Sequence, residues 1–189
     1  RGDLDGFRFV MLADLHNNSF GKNNEKLLEA IRQAKPDAVL IAGDMIVAKG
    51  VHSMEVPLHL LRELSREYPI YYANGNHEDR MDQEREIYQD QYDRYRRALK
   101  EMGVHYLVNE SAVIEKPGSG RIRITGLDLP ERYYRHAGKN PMDKNFLEDT
   151  LGKSDPEEFH VLLAHTPLYF EEYAKWGADL VCSGHFHGG

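Results

Sequence analysis

The chain has 189 residues, of which 41% are hydrophobic and 29% are charged, the proportions of an ordinary globular protein. Lys and Arg number 24 and Asp and Glu number 31, and this net charge of −7 argues against unspecific binding to nucleic acids or anionic membranes. The single cysteine excludes a disulfide framework and a cysteine-based zinc cluster. The longest apolar runs, of about five residues, are too short to cross a bilayer. Ten histidines stand out as the unusual feature of the composition.

The first half of the chain alternates between apolar runs and helical patterns. In chain order we expect a strand at Phe7–Ala13, a helix capped by Asn23 or Asn24 and ended by Pro36, a strand at Ala38–Ala42, a helix marked by Val56, Leu60, Leu61 and Leu64, and a strand at Pro69–Ala73. This βαβαβ series predicts a parallel sheet and therefore an α/β fold.

The second half predicts one long helix and then shorter strands. Glu84–Met102 carries tyrosines at helical spacing, which favours a packing face over a binding surface. The strands expected after it are Val104–Val108, Ala112–Glu115 and Arg121–Leu127, arranged as a meander with a turn at Pro117–Gly120, and then Phe159–Ala164 and Ala178–Cys182. The irregular stretch Pro130–Asn145 is typical of a lid or a binding loop.

Short polar clusters follow the predicted strands. In order, they are Asp14-Leu15-His16, Gly43-Asp44, Gly75-Asn76-His77-Glu78, His165 and Gly184-His185-Phe186-His187. The carboxyl ends of strands in open α/β sheets are where ligands gather. Two carboxylates, one amide oxygen and four imidazoles suit Mn, Fe or Zn better than Ca or an electron-transfer copper. Seven ligands are too many for one catalytic ion and favour two ions that share a carboxylate.

In type and order, these clusters resemble the motifs of the calcineurin-like metallophosphoesterase superfamily, which are D-x-H, G-D, G-N-H-E/D, H and G-H-x-H. All five blocks are present, and they extend from Asp14 to His187. The Asp-Leu-His-Asn opening and the Gly-His-x-His-Gly-Gly ending resemble a bacterial branch related to the UDP-2,3-diacylglucosamine pyrophosphohydrolases. Phe186 departs from the small residue that is frequent at this position in that branch.

The resemblance implies a four-layer α/β fold in which two mixed β-sheets pack as a sandwich flanked by helices. It assigns Asp14, His16 and His187 to a first metal ion. It assigns Asn76, His165 and His185 to a second ion, with Asp44 as the bridge between the two. His77 would be the catalytic residue that faces the leaving group and, if protonated, gives it a proton. We expect Glu78 or a nearby carboxylate to orient the His77 imidazole.

These residues lead to the hypothesis of a dinuclear metal-dependent hydrolase of phosphomonoesters, phosphodiesters or pyrophosphates, in which a metal-bridging hydroxide attacks phosphorus in line. Its substrate would be a small phosphorylated compound, for example a nucleotide or a lipid-linked phosphate. Asn17, Arg132 and Arg135 are candidates for substrate binding, although a turn or a solvated loop explains them as well. The alternatives are a non-catalytic scaffold with the same fold and a metal-binding protein without turnover.

We expect residues 1–189 to form a single catalytic domain, and the resemblance implies a fragment that lacks further C-terminal strands. A cytoplasmic or membrane-peripheral location is expected, and either is compatible with an anchor upstream of Arg1. Cys182 is expected to be a small buried residue, and Asp128 a turn residue. The remaining histidines, which are His52, His59, His105, His136 and His160, are expected to have surface or structural roles.

Overall fold

The structure is a computed structural model that describes residues 4–50, 53–116, 120–135 and 140–187. Its strands are β1 (Phe9–Leu12), β2 (Ala38–Ala42), β3 (Ile70–Ala73), β4 (His105–Leu107), β5 (Glu110–Glu115), β6 (Arg121–Leu127), β7 (Phe159–Ala164) and β8 (Leu180–Cys182). Its helices are α1 (Glu25–Ala34), α2 (Glu55–Ser65), α3 (Asn76–Gln83), α4 (Arg85–Tyr88), α5 (Gln91–Glu101), α6 (Phe146–Leu151) and α7 (Phe170–Trp176). Short 3₁₀ turns lie at Lys22–Asn24, Glu131–Tyr133 and Pro167–Tyr169.

The strands form two four-stranded sheets. The first has the order β1-β2-β3-β4 and is parallel throughout. The second has the order β5-β6-β7-β8, and only β5 runs antiparallel to its neighbour. The α/β class expected from the sequence is confirmed.

The alternating faces of β2 show how the sequence builds the layers. All five residues of this strand are buried. Val39 and Ile41 belong to a core that includes residues of α1, α2 and α5. Ala38, Leu40 and Ala42 belong to a second core that lies between the two sheets. A third core joins the second sheet to α6 and α7, so the expected order of helix, sheet, sheet, helix is confirmed.

Strand β4 differs from the sequence-based expectation. The segment Val104–Val108 was predicted to belong to an antiparallel meander, but β4 pairs in parallel with β3 through Tyr71 and His105. The helices between β3 and β4 provide the crossover that a parallel pair needs, whereas a tight turn joins antiparallel strands. The antiparallel part of the predicted meander is therefore limited to β5 and β6.

The tyrosine-rich segment forms two helices, so the prediction of one helix over Glu84–Met102 is wrong. α4 and α5 are separated at Gln89, whose φ of 53° ends the first helix because L-residues cannot continue a right-handed helix there. Tyr88, Tyr92 and Tyr95 are all buried, which confirms the prediction of a packing face.

In the parts of the chain that the structure covers, no helix is long and apolar enough to cross a membrane, since the longest have 11 residues. Cys182 is buried, as expected, and burial raises the pKa of its thiol to about 11. His52, His136 and most of the turn expected at Pro117–Gly120 lie outside the described residues.

Candidate metal centre

The loops that follow the strands meet at one edge of the two sheets. Beyond β1 and β2, the backbone N–H of Asp14 donates to Gly43 O at 3.1 Å and that of His16 donates to Asp44 O at 3.0 Å. In the second sheet, the loops after β7 and β8 are joined by a hydrogen bond of 2.8 Å from Gly184 N to the carbonyl oxygen of His165. These bonds extend both sheets beyond their regular strands, and they hold the candidate ligands in place through the backbone.

Five of the seven candidate ligands adopt a left-handed backbone conformation. Their φ angles are 56° at Asp14, 48° at His16, 54° at Asp44, 73° at His185 and 52° at His187. For residues other than glycine this conformation costs about 1 kcal/mol or more each. Such strain is concentrated at functional sites in proteins, and the residue pattern alone gave no sign of it.

The glycines of the motifs allow these loops to approach one another closely. Gly43 has a φ of +87°, and a Cβ atom there would overlap with the backbone of Gly75. A Cβ on Gly75 would in turn overlap with the Asp44 carboxylate. A Cβ on Gly184 would lie 2.6 Å from Asp14 Oδ2. The G-D, G-N and G-H pairs therefore reflect a steric requirement of the site.

Asp14, His16 and His187 form a first group of potential ligands, whose donor atoms lie within 4.8 Å of one another. The Nε2 atoms of His16 and His187 are 3.0 Å apart. Asp14 Oδ1 lies 3.7 Å from the first of these nitrogens and 3.8 Å from the second. These are the residues that the resemblance groups around one ion.

His165 and Asp44 form the most informative pair of the site. His165 is completely buried, and its Nδ1 lies 2.5 Å from the carbonyl oxygen of Ala42, to which it donates. Because Nδ1 carries the proton of a neutral ring, Nε2 presents a lone pair, and Asp44 Oδ2 lies 3.0 Å away. Within the described part of the chain, no hydrogen-bond partner is found for this Nε2.

Two acceptor atoms that face each other in a buried place repel unless a cation lies between them. Burial alone would lower the pKa of His165, but the Asp44 carboxylate offsets this effect and raises the pKa, so a proton is attracted to the same place. A metal-binding histidine commonly donates its other ring N–H to a backbone carbonyl, as His165 does to Ala42. The residues of this pair therefore fit a metal ion.

Asp44 lies between the two groups. Its Oδ1 accepts a hydrogen bond of 2.8 Å from the backbone N–H of His77, which fixes the carboxylate. Its Oδ2 lies 3.0 Å from His165 Nε2 and 3.8 Å from His16 Nε2. One oxygen is thus anchored and the other faces imidazoles from both groups, which is the arrangement that a bridging ligand needs.

Asn76 and His185 lie together at the side of these groups. Asn76 Oδ1 is 3.0 Å from His185 Nδ1, and the backbone N–H of His185 donates to Asp14 Oδ1 at 3.0 Å. The Tyr134 ring packs against His185 with 5.3 Å between centroids. Asn76 is also the first residue of α3, a helix of mostly polar sequence that is not among the predicted elements.

The His77 imidazole is held by the backbone of the loop after β2. Its Nδ1 accepts a hydrogen bond of 2.8 Å from Ala48 N, so the proton of the neutral ring is on Nε2, 4.0 Å from Asp44 Oδ2. Burial lowers the pKa of His77 to about 4. Protonation of His77, the condition under which it would give the leaving group a proton, is therefore disfavoured, because a proton on Nδ1 would face the N–H of Ala48.

Glu78 organises the backbone around the site and does not orient His77, contrary to the expectation. Its fully buried carboxylate accepts hydrogen bonds from the backbone N–H groups of Asp44 (2.9 Å), Met45 (3.0 Å) and Gly75 (2.9 Å) and from the Tyr72 hydroxyl (2.6 Å). Burial raises the pKa of Glu78, and these donors act in the opposite direction. Glu78 accepts a hydrogen bond from the N–H of Gly75, the residue before the helix, which is the glutamate half of a capping box; Gly75 has no side chain to supply the other half.

A cleft of about 340 Å³ opens over the site. Seven of the eight residues described above as ligand candidates or as His77 line it, the exception being the buried His165. Its other lining residues are Asn18, Val47 and Lys49, of which the sequence indicated only Asn18, next to Asn17, as able to contact substrate or to shape a turn. A cleft of this volume is within the range of small-molecule sites. A cavity of about 450 Å³ between α6 and α7 contains none of the candidates.

The three residues expected to bind substrate do not line this cleft in the described structure. Arg132 donates to Asp143 at 2.8 Å, and Arg135 donates to Glu131 at 2.7 Å. Asn17 has a φ of 58°, and its side-chain oxygen is buried. The two arginines thus have carboxylate partners, which favours a structural role for them. Asn17 Oδ1 has no hydrogen-bond partner among the described residues, so substrate binding by Asn17 stays a prediction.

Comparison with known proteins identifies the class. The family model described as calcineurin-like phosphoesterase matches residues 7–189. The chain therefore belongs to the calcineurin-like phosphoesterase family. The match covers every cluster described above, and it confirms the resemblance that those clusters indicated.

Three bacterial relatives show how far the similarity extends. The chain is 27% identical over 179 residues to the uncharacterized metallophosphoesterase YkoQ of Bacillus subtilis, covering 94% of this chain and 60% of that protein. It is 25% identical over 185 residues to an uncharacterized metallophosphoesterase of Helicobacter pylori strain J99, covering 96% of this chain and 45% of that protein. It is 29% identical over 192 residues to the uncharacterized metallophosphoesterase Cj0846 of Campylobacter jejuni, covering 96% of this chain and 44% of that protein. The chain thus spans 44% to 60% of the length of these relatives.

Proposed function

We propose that this chain is a metal-dependent phosphoesterase with a dinuclear centre. The observation that carries the proposal is the buried pair of acceptor atoms, His165 Nε2 and Asp44 Oδ2, at 3.0 Å. Membership of the calcineurin-like phosphoesterase family supports the same conclusion. We also propose that residues 1–189 act as one catalytic domain, in a cytoplasmic or membrane-peripheral location.

The proposed ligands are those predicted from the resemblance: Asp14, His16 and His187 for one ion, Asn76, His165 and His185 for the other, and Asp44 as the bridge. The nitrogen and oxygen donors suit Mn, Fe or Zn. When bound, two such ions supply a nucleophilic hydroxide and neutralise the charge of a phosphoryl group. The protein contributes the fixed positions of the ligand atoms, because backbone N–H groups of the loops that carry them donate to the carboxylates of Glu78 and Asp44.

We assign His77 the role of a neutral hydrogen-bond donor toward the substrate, through Nε2–H. The hydrogen bond from Ala48 N to its Nδ1 fixes both the tautomer and the direction of the ring. A neutral imidazole can stabilise the charge that develops on a phosphoryl or leaving oxygen. It is a weaker proton donor than imidazolium, so we expect the leaving oxygen to receive most of its stabilisation as a hydrogen bond.

The proposed substrate is a small phosphorylated compound, and a nucleotide or a lipid-linked phosphate both belong to this class. Monoesters, diesters and pyrophosphates all place a phosphoryl group where two ions can neutralise it. The net charge of −7 does not oppose this, because two metal ions would reverse the sign of the local field.

Hydrolysis of bis(p-nitrophenyl) phosphate and p-nitrophenyl phosphate by the purified protein with added Mn²⁺ tests the proposal. We expect turnover of at least one of them, with about two ions bound per chain by metal analysis. Asp44→Asn should abolish turnover and reduce metal content. His77→Ala should lower kcat by about 10²-fold or more while leaving metal content unchanged.

The exposed His105→Gln variant is the matched control and should change neither quantity. Absence of hydrolysis of both esters together with less than one ion per chain would refute the proposal. Two bound ions without turnover would instead favour the alternative of a metal-binding protein. Loss of metal in His77→Ala would show that His77 is a ligand, in the group that it can form with His16 and Asp44.

A further inference from the structure

Three rings pack against one another beside the proposed second metal site. The ring centroids of Tyr134 and His185 are 5.3 Å apart, those of Tyr134 and His165 are 6.0 Å apart, and those of the two histidines are 5.4 Å apart. Both histidines are proposed ligands, whereas Tyr134 belongs to none of the motifs. We propose that Tyr134 is a positioning residue, whose ring fixes the imidazoles of His165 and His185 for the second ion. This inference rests on the proposed function, because that function supplies the ion.

His185 shows why such a neighbour is needed. The χ2 torsion of histidine has a broad energy profile, so the ring rotates unless hydrogen bonds or packing hold it. His185 is half-buried, and its Nδ1 contacts Asn76 Oδ1, another proposed ligand atom, at 3.0 Å. Phe186 packs against the same imidazole but is itself exposed. The ring of Tyr134 therefore supports His185 from a separate loop.

The fold also fixes the loop that carries Tyr134. This residue follows a 3₁₀ turn that begins at Glu131, and its backbone N–H donates to Glu131 O at 2.9 Å. The Tyr169 hydroxyl lies within hydrogen-bond distance of two carbonyl oxygens of the loop, those of Tyr133 at 3.2 Å and Asn140 at 2.9 Å. Tyr133 is itself buried in the core that joins the second sheet to α6 and α7. Because the residue directly before it is anchored, Tyr134 can present its ring as a fixed surface.

The contacts of Tyr134 distinguish the two proposed metal sites. Within the described part of the chain, its ring contacts the imidazoles of His165 and His185 and neither of those of His16 and His187. The rings of His16 and His187 instead contact each other, with 4.7 Å between centroids. Replacement of a residue that orients metal ligands typically weakens metal binding by about 10- to 100-fold. Loss of the Tyr134 ring should therefore weaken the second ion and spare the first.

The test measures the affinities for two manganese ions in variants at position 134. The metal-free protein is titrated with Mn²⁺ by isothermal titration calorimetry, which does not depend on turnover. We expect Tyr134→Leu to weaken one ion by about tenfold or more and to leave the other unchanged within about twofold. Tyr134→Phe keeps the ring and removes the hydroxyl, so both affinities should stay close to those of the wild-type protein.

Anomalous diffraction identifies the weakened ion. Crystals of Tyr134→Leu are prepared at a manganese concentration that fills both sites of the wild-type protein. The peak beside His16 and His187 should persist, and the peak beside His165 and His185 should be reduced or lost.

Tyr68→Leu is the matched control, because it replaces another half-buried tyrosine that lies before β3, at the opposite edge of the sheet from the site. It should change neither affinity. Tyr134→Met, which has a long apolar side chain without a planar ring, should behave like Tyr134→Leu and replaces it in the test if that variant does not fold.

Three results would overturn the proposal: unchanged affinity for both ions without the Tyr134 ring, loss of the ion beside His16 instead, or an equal loss in Tyr134→Phe. Failure of the proposed function has a different result. The wild-type protein would then bind fewer than two ions, which would refute the dinuclear centre and this inference with it.

Discussion

At the scale of single residues, the backbone of the candidate ligands is adapted to the site at a cost in stability. Asp14, His16 and Asp44 have φ angles between 48° and 56°, in a region that L-residues avoid. Neighbouring loops hold them there, through bonds such as the one from His16 N to Asp44 O. The side chains can then converge on a small volume, and the strain is compensated elsewhere in the fold.

Substitution of His16 tests whether this strain is present. In the metal-free protein, we expect His16→Gly to be more stable than His16→Ala by about 1 kcal/mol, because glycine adopts a positive φ without steric cost. The φ of His165 lies outside that region. There we expect His165→Ala to be more stable than His165→Gly by about 0.5–1 kcal/mol, since glycine loses more entropy on folding. Urea denaturation in the presence of EDTA measures both differences. If His16→Ala were as stable as His16→Gly, the backbone at position 16 would not be strained.

The ligand candidates could be named from the sequence because each belongs to a short motif with a distinctive residue order. The proton position of His77 could not be inferred, since it depends on a hydrogen bond from Ala48, which lies 29 residues away. The pairing of Arg132 with Asp143 was hidden for the same reason. A side chain shows its chemical type in the sequence, but its partner is decided by the fold.

At the scale of elements, α3 joins two strand-end loops into one unit. Glu78, in the first turn of this helix, accepts hydrogen bonds from the backbone after β2 and from Gly75 before the helix. The same carboxylate accepts the Tyr72 hydroxyl from β3. A buried carboxylate with four donors is well satisfied as an anion, and it holds Asp44 in position through the backbone.

Replacement of Glu78 by Gln should therefore affect both stability and metal binding. The amide group would turn an N–H₂ toward donors that now meet an oxygen, and we expect a loss of about 3 kcal/mol in the free energy of unfolding. Metal content should fall as well, because the loop that carries Asp44 loses its anchor. Urea denaturation and metal analysis are the measurements.

Tyr72→Phe is the control for Glu78→Gln, because it removes one of the four donors and keeps the carboxylate. We expect it to cost about 1 kcal/mol and to leave metal content unchanged. If Glu78→Gln lowered the free energy of unfolding no more than Tyr72→Phe does, Glu78 would not be the anchor of the loops around the site.

The elements were predictable where apolar runs and helical periodicity are unambiguous. β2, β6 and β7 have the expected bounds. β2 and β7 are runs of mostly apolar residues, and β6 begins with isoleucines at alternate positions. The break at Gln89 and the helix beginning at Asn76 were missed. The first depends on one backbone angle, and the second on a polar sequence whose helix is stabilised by the buried Glu78.

At the scale of the whole molecule, two acidic residues have raised pKa values: Asp79 on α3, which is buried, and Asp128 directly after β6, which is half-buried. Burial raises the pKa of Asp79 to about 6 and that of Asp128 to about 7. The negative charge of Asp82 raises both pKa values further, and that of Asp79 also raises the pKa of Asp128. A turn role for Asp128, as expected from the sequence, does not require this burial. Neither residue lines the cleft over the candidate metal centre.

These two groups predict how stability depends on pH. Since their folded pKa values lie above the unfolded values, the folded state binds the additional protons. The stability that they contribute is complete below about pH 4 and is lost as the pH rises through 6 and 7. Between pH 5 and pH 8, the free energy of unfolding of the metal-free wild-type protein should fall. In the double variant Asp79→Asn, Asp128→Asn we expect this fall to be smaller by about 2 kcal/mol.

Urea denaturation at several pH values measures this difference. The exposed Asp149→Asn variant is the control and should keep the wild-type dependence on pH. An unchanged dependence in the double variant would show that these carboxyl groups do not bind protons preferentially in the folded state.

The four-layer architecture could be predicted as a whole, because the motifs resemble those of a family that has this fold. Its details needed the structure. β4 extends the first sheet in parallel, and Lys49 reaches the cleft through a loop without a recognisable motif. Motifs reveal the residues that perform a shared chemistry, whereas the walls of the cleft depend on how loops of this particular chain pack.

The central claim, a pair of metal ions bridged by Asp44, is tested most directly by anomalous diffraction from crystals of the manganese-loaded protein. We expect two anomalous peaks about 3.5–4 Å apart, both within bonding distance of the Asp44 carboxylate. One should lie beside His16 and His187, and the other beside His165. A single peak, or two peaks of which one has no contact with Asp44, would contradict the dinuclear centre.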